Sequence, residues 1–332
     1  AGEGGQVLLD RFLNDAIEVD VDCLGDGRSY VIGGVMEHIE EAGVHSGDSA
    51  CCLPPHSLGP EVVAEIERQT IALAAELQIC GLMNVQFAIQ NDEVYVLEVN
   101  PRASRTVPFV SKTIGRPLAK YAARVMAGET LADIGFTEPV RPAHFAVKEA
   151  ILPFSKFPGV DILLGPEMRS TGEVMGIDTS FGRAYLKSQV AASNALPTTG
   201  KVFVSLRDRD KAKGPELCSR LVALGFDVVC TRGTLAMLSE QGVPATAINK
   251  VKEGRPHVVD ALINREICMV VNTTEGAQSI VDSKLIRRTT LNQGIPYFTT
   301  LAAALASLDA MEERQRDPSL RVAPMQHYHP PA

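Results

Sequence analysis

The sequence contains no apolar run approaching the roughly 20 residues that a bilayer-spanning helix needs. Its most apolar stretches, such as ILLG and ALINREICMVV, are far shorter or are interrupted by charge. Tryptophan is absent, aromatic residues make up 5%, and there is no Cys-x-x-Cys pair, internal repeat or low-complexity tract. Positive charge is also in deficit. The 32 Lys and Arg residues stand against 40 Asp and Glu, a net charge of −8 that argues against a nucleic-acid surface, which needs clustered cations. Local basic pockets remain compatible with that balance. The chain opens without Met or a signal-peptide pattern, and AGEGGQVLLD reads as mid-element, so we expect a piece of something longer.

What is present is ordinary globular material. The 332 residues with 45% apolar content suit about two domains, and 22% charged residues at near-zero mean hydropathy exclude a disordered or fibrous chain. The seven cysteines (Cys23, Cys51, Cys52, Cys80, Cys218, Cys230, Cys268) are odd in number and sit mostly in apolar, strand-like context. That usage suits reduced core thiols of a cytoplasmic protein. Cys51-Cys52 could join His45 and His56 around a metal, and the terminal HYHPP could catch one; core packing and a frayed tail are the plainer readings.

Two textures divide the chain. Up to about residue 190, the alternating runs AIEVDVDCLGD, RSYVIGGVMEHI, MNVQFAIQ and EVYVLEVN predict antiparallel strands, with Asn91-Asp92 at a hairpin turn. Helical spacing marks Pro60 to Leu77 and residues 117–131, the latter with Pro117 in its first turn. This is an α+β pattern over 1–192. SNALPTTG (193–200) reads as a linker. Beyond it, over 201–332, the short apolar strands KVFVSL, FDVVCT, ATAIN, ICMVVNT and PYFTT alternate with helical stretches such as 209–224 and 276–287. That alternation predicts an α/β doubly wound parallel sheet.

The segment richest in chemistry is MNVQFAIQNDEVYVLEVNPRASRTVPF. Glu98 and Asn100, two apart on a strand, share a face, and Gln86 on the preceding strand can reach the same space. One carboxylate and two amides form a hard-oxygen set suited to Mg²⁺ shared with phosphates. Arg102 and Arg105 follow at once, placed to neutralise phosphoryl oxygens. By spacing alone, an edge strand with polar residues and a basic turn explains E-x-N-P-R equally well.

The segment VQFAIQNDEVYVLEVNPRASRT resembles the metal-binding hairpin of ATP-grasp enzymes, specifically that of the carbamoyl phosphate synthetase large subunit. The resemblance continues through MEHIEEAGVHSGDSACCLP, NPRASRTVPFVSKTIGRPLAK, FPGVDILLGPEMRSTGEVMG and NKVKEGRPH. It implies the carboxyl-terminal lobe of the second ATP-grasp unit followed by a methylglyoxal-synthase-like allosteric domain. That unit phosphorylates carbamate with Mg-ATP, for pyrimidine and arginine biosynthesis. The resemblance places Gln86, Glu98 and Asn100 on two Mg²⁺ or Mn²⁺ ions and Arg102 and Arg105 on the transferred phosphoryl group and carbamate. Arg11 and Leu13 would meet adenine, Glu18 the ribose hydroxyls, and Gly43, Val44, His45 and Ser46 would lie over the nucleotide. A carboxylate at position 18 can accept two sugar hydroxyls at once.

Further implications concern control. Glu40, Asp48, Glu149 and Thr299 resemble an ornithine site. Lys211, Thr231, Thr234, Lys250, Asn272, Thr274 and Ser283 resemble a pocket for UMP or IMP at the strand ends of the second sheet. The family partner is a glutaminase small subunit, and a homo-oligomer of that heterodimer is expected. Two departures stand out: the lobe bearing the Gly-rich phosphate loop is not in this sequence, and NTTEG lacks the aspartate pair needed for methylglyoxal synthesis. The second of these argues against free-standing synthase activity. The first makes an isolated nucleotide-sensing and oligomerisation module the alternative to an enzyme, and another ATP-grasp ligase or carboxylase would share only the hairpin. GPEMRSTGEVMG has no derived mechanism; its glycines and Arg169 fit a packed turn with a salt bridge as readily as a catalytic role.

Overall fold

A computed structural model describes residues 11–157 and 160–329. The alternating segments form β1 (Ile17–Asp26), β2 (Tyr30–Glu41), β3 (Cys51–Leu53), β4 (Cys80–Gln90), β5 (Glu93–Asn100), β6 (Phe145–Ile151) and β7 (Gly172–Asp178). They build one antiparallel sheet in the order β5-β4-β1-β2-β3-β6-β7. Odd-numbered residues of β1 and β4, among them Val19, Val21, Val85 and Phe87, pack under helix α1 (Pro60–Glu76). On the other face, Leu24 and Met36 meet α2 (Val107–Ile114) and α3 (Leu118–Met126). Asn91 and Asp92 both take positive φ, as the expected tight turn requires.

The helix expected over 117–131 is shorter and broken. Pro117 is the cap of α3, Gly128 takes φ +103°, and a separate turn, α4 (Leu131–Ile134), restarts under a Thr130–Asp133 capping box. Apolar spacing persisted across the break, while glycine and the cap decided the backbone. Tyr328 and His329, read as part of a frayed tail, instead pack edge-on against His144, and the Tyr328 hydroxyl donates to the Ile177 carbonyl at 3.3 Å. Pro330–Ala332, which complete HYHPP, lie outside the described residues, as do Ala1–Asp10 of the opening stretch.

Helix α5 (Phe181–Ala191) leads through residues 192–199 into a five-stranded parallel sheet. Its strands are β8 (Gly200–Ser205), β9 (Phe226–Cys230), β10 (Thr246–Ala247), β11 (Ile267–Asn272) and β12 (Tyr297–Phe298), in the order β10-β9-β8-β11-β12. Five helices alternate with them: α6 (Gly214–Ala223), α7 (Arg232–Glu240), α8 (Val258–Ile263), α9 (Ala277–Gln293) and α10 (Leu301–Arg316). The chain winds outward from β8 on one side and then crosses to β11 on the other. The switch point, where such sheets place their ligands, therefore lies between the ends of β8 and β11.

The two sheets share an apolar core. Ile39, Cys52 and Val147 of the first join Val202, Leu217 and Met269 of the second, with Tyr185 of α5 and Leu308 of α10 between them. The stretch read as a linker is held down: Leu196 is buried, and Arg314 of α10 donates to the carbonyls of Leu196 and Pro197. Close approach of α5 to β7 depends on Gly176, where an added Cβ would run into the Ala184 carbonyl and meet the Ser188 nitrogen at 2.5 Å. Gly176→Ala should lower the unfolding free energy by about 1 to 3 kcal/mol in urea denaturation, because neither contact is a side chain that can move aside.

Candidate functional site

Strand alternation puts Glu18, Asp20 and Asp22 on one face of β1, opposite Ala88, Gln86 and Asn84 of β4. Asp20 and Asp22 are each 1% exposed and must find partners. Asp22 accepts from Asn84 Nδ2 (3.0 Å), Ser104 Oγ (2.7 Å) and Thr106 Oγ1 (2.8 Å). Burial outweighs these bonds and raises its pKa to about 6. The same bonds anchor the turn between β5 and α2, which carries Arg102 and Arg105.

His38 completes the row. Its Nε2 bonds Asp20 Oδ2 at 3.0 Å, and its Nδ1 lies 3.5 Å from Glu18 Oε2. Burial opposes charge on the ring, but the bonds to Asp20 and Glu18 prevail and raise its pKa to about 9, so it is an imidazolium at neutral pH. Glu18 Oε1 accepts from the Gly43 N–H at 2.9 Å. The sequence reading missed His38. The acidic alternation EVDVD was its one available signal, since three carboxylates on a shared face call for a cation.

The hairpin depends on a register break. Val94, packed on the α1 side, pairs with Ile89 and Val96 with Phe87, then Glu98 pairs with Gln86 and Asn100 with Asn84. The irregularity at Leu97 reverses the phase of β5, turning Glu98 and Asn100 away from the core and toward the carboxylate row. Asn100 Nδ2 is buried with no partner among the described residues.

Over this floor lies the turn 43–48. Gly43 takes φ +100° with Phe12 against it, so a side chain there would be strained. His45 Nδ1 accepts from the Gly47 N–H at 3.0 Å, and the His45 N–H donates to the Gly165 carbonyl at 2.9 Å. Beneath the turn, buried Lys148 of β6 donates to the Ser46 carbonyl at 3.1 Å. The result is a cavity of about 340 Å³ lined by Glu18, Gly43, Val44, His45, Ser46, Gln86, Glu98, Arg102 and Arg105 of the expected set. Asp20, Asn84, Lys148 and Glu173 line it as well. Arg11 and Leu13 are not among its lining residues, and Arg11 is exposed. Asn100 sits beside it through its pairing with Asn84.

A second cavity, about 800 Å³, opens at the switch point of the parallel sheet. All seven residues named for it, Lys211, Thr231, Thr234, Lys250, Asn272, Thr274 and Ser283, line this one space. Lys211 pairs with Asp208 at 2.6 Å, and Arg207, which pattern reading did not single out, bridges to Glu41 of the first sheet. The four residues likened to an ornithine site are less uniform. Glu40 and Glu149 are both half-buried, and Glu40 raises the charging cost of Glu149. Both Asp48 oxygens are already taken by the N–H groups of Arg169 (2.7 Å) and Ser170 (2.8 Å). Thr299 is half-buried just before α10. Arg169 forms no ion pair among the described residues; its Nη1 donates to the Asp161 carbonyl at 2.9 Å.

Among the described residues, no three His, Cys, Asp or Glu side chains converge as a metal-holding group. Cys51 and Cys52 are buried, with burial pushing the Cys51 thiol to about 12, while His56 stacks on Phe181 and faces Glu37. No described helix is long and apolar enough to cross a membrane.

Burial, reinforced by Glu40, raises the pKa of Glu149 to about 8 against Lys148 and the Gln189 bond. The folded chain thus retains a proton that the unfolded chain releases in the ordinary carboxylate range. This contribution is complete below that range and is lost as pH climbs toward 8. Glu149→Gln should flatten the fall of unfolding free energy between pH 5 and 8, by up to about 1.4 kcal/mol per pH unit, in urea melts at three pH values.

Comparison with known proteins agrees with this architecture. Residues 1–134 match the family model described as carbamoyl-phosphate synthase L chain, ATP binding domain, and residues 215–299 match that of the MGS-like domain. The carbamoyl phosphate synthase large chain of Mesorhizobium japonicum is 58% identical over 327 residues, covering 97% of this chain and 28% of that one. That of Pseudomonas aeruginosa is 56% identical over 306 residues, covering 92% and 28%. Among solved structures, the biotin carboxylase domain of a single-chain bacterial carboxylase aligns with 55% of this chain and 48% of its own, at a TM-score of 0.45 and 20% identity. The chain spans a little over a quarter of the length of the curated relatives it matches. With an ATP-binding domain followed by an MGS-like domain, and more than half of its residues identical to these proteins across nearly its full extent, the chain belongs to the carbamoyl phosphate synthase large-chain family.

Proposed function

We propose that the first cavity phosphorylates carbamate, as part of a glutamine-dependent carbamoyl phosphate synthesis serving pyrimidine and arginine formation in the cytoplasm. The observation that carries this reading is the meeting of Gln86, Glu98, Arg102 and Arg105 with Glu18 and the 43–46 turn around one cavity. In the reaction a carbamate oxygen attacks the γ-phosphorus of ATP, and the bond from that phosphorus to the ADP oxygen breaks. Arg102 and Arg105 neutralise the charge that spreads over the phosphoryl oxygens. Glu18, fixed by Gly43 and His38, accepts the ribose hydroxyls, and Arg11 and Leu13 border the adenine.

The donor set suits a hard divalent cation: the Glu98 carboxylate and the side-chain amide oxygens of Gln86 and Asn100, brought together by the pairing of β4 with β5. Gln86, Glu98 and Asn100 would hold two Mg²⁺ or Mn²⁺ ions. Bound there, such ions supply charge neutralisation for the phosphates.

The second cavity takes a nucleoside monophosphate, UMP or IMP, as effector. Lys211 and Lys250 face its phosphate, and hydroxyls and backbone amides line the remainder. Glu40, Asp48, Glu149 and Thr299 serve an ornithine-type effector. The two functional units are 1–192 and 201–332. The ammonia-supplying glutaminase subunit and a homo-oligomer of the pair complete the assembly. A regulatory module without catalysis is the second reading, favoured by the full convergence of seven residues on the effector cavity.

Two experiments address these assignments. Mixed with Mg-ADP and carbamoyl phosphate, the chain should form ATP detectable by luciferase, and Glu98→Gln should reduce that signal to background. No ATP from a folded, effector-binding sample supports the regulatory reading, and an unchanged rate in the variant removes Glu98 from the site. Lys250→Ala should weaken UMP binding in calorimetry by about 1 to 3 kcal/mol, the value of a charge-assisted phosphate contact.

A further inference from the structure

The GPEMRSTGEVMG motif is unused by the reaction just described, yet residues 161–170, which run into it, border the first cavity and bond to a helix that lines the second. Its Gly165 carbonyl accepts from the His45 N–H, and Pro166 lines the first cavity. Met168 lies against the Arg105 guanidinium, and the Arg169 and Ser170 amides bind Asp48 at the end of the cover turn. At its other end, Asp161 receives Arg287 of α9 through two bonds of 2.6 Å, from Nε and Nη2. Arg287 is 1% exposed, although it is a charged residue on a helix of the second sheet. Its Nη2 also donates to the Ile280 carbonyl at 2.9 Å, stapling the opening turns of α9, where Ser279 and Ser283 line the second cavity. Beside it, the Tyr297 hydroxyl accepts from Asn272 of that same cavity at 2.8 Å.

A buried guanidinium has one stable arrangement, with its carboxylate engaged. Any movement of α9 on filling the second cavity must therefore carry Asp161 with it. Arg169, bonded to the Asp161 carbonyl, passes that displacement to Asp48 and the cover turn.

We propose that Asp161 and Arg287 are positioning residues, and that the segment 161–170 is a strut through which occupancy of the second cavity sets the placement of the 43–48 turn and Arg105 over the first. This rests on the reading of the second cavity as a nucleoside-monophosphate site.

The test is amide hydrogen exchange on the whole chain, with and without saturating UMP, in the wild type, Asp161→Asn and Arg287→Lys. UMP should slow exchange at 272–283 in all three. In the wild type alone it should also change exchange at His45, Arg169 and Ser170, by about threefold or more. Arg287→Lys keeps the charge and guards against a variant that does not fold, with β1 and α6 serving as internal controls of global stability. A remote response of equal size in the variants overturns the proposal and points to Arg207–Glu41 instead. So does a wild type that is protected at 272–283 but unmoved at 43–48. If UMP protects nothing at 272–283, the effector reading has failed separately, and the ligand-free comparison decides. Faster exchange at Arg169, Ser170 and His45 in Asp161→Asn, with β1 and α6 unchanged, then supports the strut, and unchanged exchange there overturns it.

Discussion

Asp20 and Asp22 are buried carboxylates on a central strand, and the first cavity is organised around satisfying them. A buried charge without partners would cost several kcal/mol, so each must recruit hydrogen bonds or a countercharge. Asp22 recruits Asn84, Ser104 and Thr106, and in doing so ties the arginine turn to β1. Asp20 recruits His38, which in turn steadies Glu18. The floor, the arginine turn and the placement of Glu18 are thus consequences of one requirement imposed by alternate residues of one strand.

The cover of the cavity follows a different logic. It is built from backbone groups that a short turn leaves unpaired, and those groups are met by distant residues: Glu18 for Gly43, Lys148 for Ser46, and Asp48 for the amides of Arg169 and Ser170. Such contacts are few, and that of Gly43 with Glu18 is exposed. The turn is accordingly the part of the site most readily shifted by changes elsewhere, whereas the carboxylate floor is held from several sides.

The junction between the sheets is no flexible hinge. A continuous apolar core, the Gly182 contact between α5 and α10, and ion pairs from Arg207 and Arg287 join the two sheets. The parallel sheet places its cavity where its winding reverses, and the antiparallel sheet places its cavity at the open end of the carboxylate face. Each site therefore follows from the topology of its own sheet, while the contacts between sheets are side-chain contacts over long sequence separations.

The sequence by itself determined the elements and the chemistry they carry. Alternation marked β1, β2, β4 and β5, apolar spacing marked α1, and the E-x-N-P-R hairpin and the polar ends of the parallel strands named residues that share cavities in the structure. These are local signals, set by side-chain period and turn chemistry within a few residues. Only the tertiary structure decided the rest. The phase reversal at Leu97 needs β4 as its partner, and His38 becomes a cation only between Glu18 and Asp20. Lys148 meets Ser46 across 102 residues, and Arg287 meets Asp161 across 126. No periodicity encodes such pairs, because their energy arises from burial that exists only once both sheets have formed.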